Sequence, residues 1–120
     1  MAKLEKKSFS ISQQPMVSAK AHVETVELGG IVVARGTYEP GWKWSTDFGP
    51  KMGTDTCSMR HFGYLASGKL GIKLRDGSEI EVEAGDVFDI PPGHDAWTIG
   101  NEPAVLVDFG GGPGGNKAID

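Results

Sequence analysis

Residues 85–93 read Gly85-Asp86-Val87-Phe88-Asp89-Ile90-Pro91-Pro92-Gly93. Gly85 sits where a tight turn needs a positive φ. Val87–Ile90 reads as a short strand, and Pro91-Pro92-Gly93 stops it and stiffens the entry to the next segment. Upstream, Ser78–Glu83 sets Ile80 and Val82 against Glu79, Glu81 and Glu83, a strand with one buried and one wet face. Asp76-Gly77 joins it to Gly68–Arg75, where Leu70, Ile72 and Leu74 alternate with charged residues. The dipeptide predicts a hairpin with a type I′ turn. Downstream, Ala96–Ile99 and Ala104–Phe109 are two further short strands.

The same grammar runs toward the N-terminus. His22–Leu28 and Ile31–Tyr38 are β-prone and joined by Gly29-Gly30, a second hairpin. Pro40-Gly41 breaks the chain before Trp42-Lys43-Trp44 and an irregular stretch, and residues 55–66 form another candidate strand. Eight or more short strands, and no segment with a firm helical pattern, predict an all-β sandwich or closed barrel over residues 21–109. Residues 1–20, polar and containing Pro15, read as an N-terminal arm. Residues 110–120, GGGPGGNKAID, read as a flexible Gly-rich tail.

Composition supports this frame. Eighteen glycines in 120 residues disfavour a helical bundle, because each Gly inside a helix costs about 1 kcal/mol relative to Ala. A hydrophobic share of 38% is too high for a disordered low-complexity chain. One cysteine makes no internal disulfide. MAKLEKKSFS lacks the apolar core of a signal peptide, and no stretch approaches 18 apolar residues. With a net charge of −4 and scattered lysines, the chain has no electrostatic footprint for nucleic acid. The expectation is a cytoplasmic protein without nucleic-acid or membrane partners, acting on a small molecule.

Two motifs in the chain resemble those of the cupin superfamily. In the first, Gly49, Asp55, Cys57, His61 and Gly68 reproduce the family's spacing of Gly, His, His, Glu and Gly, with different letters at all three ligand positions. In the second, Gly85, Pro91 and Gly93 match; the family's histidine position holds Ala96, a histidine stands two residues earlier at His94, and the expected Asn is displaced to Asn101. The resemblance implies a double-stranded β-helix (jelly-roll) barrel and a homodimer formed through the N-terminal strands, with segment 22–44 as the surface. It also implies a divalent metal at Asp55, Cys57, His61 and the Ala96 position.

Strand parity adds to this. Positions 55, 57, 59 and 61 share one side of a regular strand, which places Met59 among Asp55, Cys57 and His61. His94 lies on the same side as 96 and can replace the missing histidine. Thiolate and imidazole donors favour zinc, with iron or nickel next. Each residue also has a plainer reading: an inert core cysteine, a satisfied core histidine, an aspartate in a turn. Trp42 and Trp44, two apart, can line an apolar pocket or pack as core or interface, and Trp97 can line the pocket mouth. Cys57 and His61 also suggest a nucleophile pair, but four residues of extended strand span about 13 Å, too far for a hydrogen bond unless the strand bends. Two functions follow: a metal-dependent cupin enzyme of unassigned reaction, or a non-catalytic small-molecule-binding or sensor cupin with a degenerate site. A structural metal site closed by all four ligands is a third.

Overall fold

The computed structural model describes residues 4–12 and 16–110. The expected flexible tail, apart from Gly110, and parts of the N-terminal arm including Pro15 lie outside the described residues. Among the described residues, nine strands form two antiparallel sheets: β1 (Met16–Val17), β2 (Ala21–Leu28), β3 (Ile31–Tyr38), β4 (His61–Ser67), β5 (Lys69–Leu74), β6 (Glu79–Glu83), β7 (Val87–Ile90), β8 (His94–Thr98) and β9 (Ala104–Asp108). The larger sheet runs β1-β2-β3-β9-β4-β7 and the smaller β6-β5-β8. Consecutive strands β4 and β5 lie in different sheets, as do β6 and β7 and β8 and β9. The chain thus repeatedly crosses between two facing sheets, which is the jelly-roll arrangement.

Alternation decides what lies between the sheets. Along β8 the burial pattern puts His94, Ala96 and Thr98 inside, while Asp95 and Trp97 face the other way. In β9, Ala104 and Asp108 are buried. Leu65 of β4, Leu70 and Ile72 of β5, Val82 of β6, and Phe88 and Ile90 of β7 complete the inner wall. Ile80 shares a face with Val82 but stays 54% exposed, at the outermost strand of its sheet.

Three local expectations change. The β5–β6 hairpin forms, but only Gly77 has positive φ (94°) and the loop holds three residues between Leu74 and Ser78. It is therefore the type I turn with a left-handed glycine rather than a type I′ turn, with Asp76 Oδ1 accepting from the Ser78 N–H. Gly29 and Gly30 both have positive φ (59° and 79°), as a two-residue I′ hairpin requires. The irregular stretch after Trp42 contains two short helices, α1 (Trp44–Asp47) and α2 (Gly49–Met52). Pro50 opens α2, and Asp47 reaches back to accept from the Lys43 N–H. Finally, residues 55–60 are not continuous strand: β4 starts only at His61, and the chain before it touches β8 through a single Cys57–His94 bridge.

Candidate metal centre

That bridge builds the site. Gly93, with φ of 87°, turns the chain after the two prolines in a conformation side-chain-bearing residues rarely adopt. Its N–H donates to the Cys57 carbonyl (2.8 Å), and the Cys57 N–H donates to the His94 carbonyl (2.8 Å). Two reciprocal backbone bonds therefore lock Cys57 against the first residue of β8. A bend between Cys57 and the start of β4 then brings His61 back, with 3.5 Å between Cys57 Sγ and His61 Nε2. The extended-strand separation of about 13 Å is removed by the irregular backbone at 58–60.

One nitrogen of each imidazole and the Cys57 sulfur lie within 4.8 Å of one another. The other nitrogen of each ring is already committed. His61 Nδ1–H donates to Asp108 Oδ2 (2.5 Å), and His94 Nδ1–H donates to the Pro91 carbonyl (2.7 Å). Both acceptors lack protons to give, so each ring keeps Nδ1–H toward its acceptor and turns Nε2 toward the cluster. Asp108 is itself held: its Oδ1 accepts from the Gly110 N–H (2.8 Å) and the Phe62 N–H (3.4 Å).

The electrostatics follow from this packing. Burial pushes the Cys57 thiol up, but hydrogen bonds from His61 and His94 outweigh it and bring the group from 9 to about 6. Burial pushes the His61 imidazolium down, yet hydrogen bonds to Asp108 and Cys57 raise it to about 9. Both shifts run toward a thiolate–imidazolium pair in the metal-free protein. A low thiol pKa is also what metal ligation needs, since the thiolate is the ligand. The donor set thus fits a divalent metal.

The cluster lines a cavity of about 420 Å³ between the sheets. Met59, Trp42 and Trp44 line it, together with Tyr38 and Phe48, which the sequence reading did not single out. Phe48 meets both indoles edge-on, with ring centroids 5.6 and 6.5 Å apart, and Tyr38 lies 4.2 Å from Trp42. Trp97 is placed on the opposite face of β8, its ring covering Gly71 of β5. Next to it, Asp95 binds the Ser45 N–H (2.9 Å) and hydroxyl (2.7 Å), tying α1 and hence Trp44 to the small sheet. Asp55 is not brought to the cluster: its side chain is 85% exposed and contacts Arg75 at 3.3 Å. The parity that placed it there requires a regular strand, and the chain is irregular from 53 to 60. Asp108 was missed, although an aspartate in the inward register of Ala104, Leu106 and Asp108 is the kind of signal that marks a buried polar role.

A search of protein-family models finds no match, and neither does a search of curated proteins. Solved structures do match. A Rhizobium leguminosarum protein of unknown function shares 17% identity over 89% of this chain and 96% of its own, with a TM-score of 0.63. The Cnp3 cupin domain of Schizosaccharomyces pombe shares 12% over 96% of this chain and 74% of that one, at 0.59. A mutant Bacillus subtilis oxalate decarboxylase shares 24% over 89% of this chain at 0.59, and this chain spans only 30% of its length. That decarboxylase has Mn(II) centres. Two facing jelly-roll sheets and these structural likenesses together show that the chain has the cupin fold.

Proposed function

We propose that the chain binds one divalent metal, zinc before iron or nickel, through Cys57 Sγ and the Nε2 atoms of His61 and His94, and that a small molecule in the adjoining cavity is its substrate or ligand. The observation that carries this reading is the anchoring of both rings. Each Nδ1–H is tied to a protein oxygen, Asp108 or Pro91, which is how metal-binding histidines are held. One thiolate with two imidazoles favours zinc over manganese, which prefers oxygen donors. A divalent metal here would supply Lewis-acid polarisation of a ligand atom. The protein's own contribution is to fix the donors, to keep the cluster beside apolar walls, and to leave remaining coordination positions to a molecule in the cavity. Three protein ligands with an open position is the pattern of catalytic rather than structural zinc sites. The fourth donor proposed from spacing, Asp55, plays no part in this set.

Elemental analysis of purified protein tests it. Near-stoichiometric metal is expected in the wild type and in Asp55→Ala, with loss in Cys57→Ala, His61→Ala and His94→Ala. Wild-type protein that takes up no zinc after reconstitution would overturn the reading.

A second reading rests on a different observation. Asp108, His61 and Cys57 form a continuous hydrogen-bonded relay, the arrangement that orients a base beside a nucleophile. Here Cys57 would be a covalent nucleophile with no metal. Chelation separates the two, since any activity of the relay survives EDTA and that of the metal centre does not.

A further inference from the structure

The cavity wall points to what it admits. Among the described residues that line it, none is Lys or Arg. The one lining carboxylate, Asp108, is spent on His61 and on two backbone N–H groups. The three arginines are engaged elsewhere. Arg35 binds Glu24 (2.8 Å) and Arg60 binds Asp89 (2.8 Å), in each case on the outward face of the large sheet. Arg75 pairs with exposed Asp55. Lys43, beside the cavity in sequence, lies over the Trp97 ring on the far side of β8.

An anion entering this space would lose its hydration among tryptophan, phenylalanine and leucine with no Lys or Arg to replace it, and the one imidazolium on the wall, His61, is already held between Asp108 and Cys57, so the transfer is unfavourable. An aromatic or branched apolar body meets the opposite situation. Trp42, Trp44 and Phe48 form one wall and Leu70 and Ile72 another, and the volume is within the range of pre-formed small-molecule pockets. Trp42 is also buried with its indole N–H unpartnered among the described residues, a donor that a neutral acceptor such as a carbonyl oxygen would satisfy.

We propose that the cavity selects an uncharged, largely apolar small molecule, aromatic or of similar bulk, carrying a neutral oxygen acceptor, and that it discriminates against carboxylates. The proposal takes the cavity of the functional reading above but not its metal, so it is tested on the metal-free protein. Acetophenone and benzoate are close in shape and differ in charge. Tryptophan fluorescence of EDTA-treated wild type is expected to report acetophenone binding at least tenfold tighter than benzoate. Trp44→Ala is expected to weaken acetophenone at least tenfold. Benzoate binding as tightly as acetophenone, or no acetophenone binding up to its solubility limit, would overturn the proposal. Because the wild-type comparison stands alone, a misfolded Trp44→Ala leaves it decidable. Because no metal is present, failure here is distinct from failure of metal binding.

Discussion

At the scale of single residues, Asp108 sets the behaviour of the site through His61. Removing its charge while keeping its shape is the cleanest probe. In Asp108→Asn the amide oxygen can still accept from His61, but the anion that favours this ring orientation is gone. Metal affinity is expected to drop about 10- to 100-fold with the fold retained, as measured by competition with a chromophoric chelator. The thiol gives a pH signature. Thiolate, not thiol, is the nucleophile, so a lowered pKa moves the alkylation profile to lower pH. In metal-free protein, iodoacetamide should modify Cys57 at a rate that rises through about pH 6 and is level above it. His61→Ala should move the inflection back toward the ordinary 9. The convergence of Cys57 and His61 was legible from motif spacing, and that of His94 from strand parity with position 96. Asp55 could not be excluded, because nothing in its spacing reveals that the backbone leaves strand geometry before β4. Asp108 went unread because the strand pattern Ala104–Phe109 carries no motif of its own.

At the scale of elements, the site depends on the turn that starts β8. Gly93→Ala forces a Cβ into a left-handed conformation, at a cost of about 1–3 kcal/mol. It acts directly on the two backbone bonds that hold Cys57 to Gly93 and His94. The expected outcome is a lower thermal midpoint together with weaker zinc binding. The same substitution at exposed Gly53 (φ 75°), which lies outside these bonds, should lower stability with zinc affinity kept. Strands β2, β3, β5, β7 and β9 were legible within a residue or two, since alternation and Gly or Pro punctuation are local signals. Helices α1 and α2 were not. Each is only four residues long, too short for helical periodicity, and α1 is anchored by the long-range Asp95–Ser45 contacts.

At the scale of the whole molecule, two facing sheets hold an apolar cavity whose titratable cluster, among the described residues, is concentrated at one patch of wall. Leu65, fully buried, belongs to the core that keeps the sheets together. Leu65→Ala is expected to cost about 2–5 kcal/mol by chemical denaturation. The two-sheet architecture was legible because turns recur about every ten residues. The cavity's lack of lysine and arginine among the described residues was not, since it depends on which arginines pair with outward carboxylates, a matter of tertiary contacts. In the proposed centre a metal sits on one sulfur and two imidazoles. X-ray absorption at the zinc edge on reconstituted wild-type protein tests it most directly. The expected spectrum has one sulfur and two imidazole nitrogens among the zinc's nearest neighbours, with the sulfur absent in Cys57→Ala. A shell of oxygen and nitrogen alone in the wild type would contradict it.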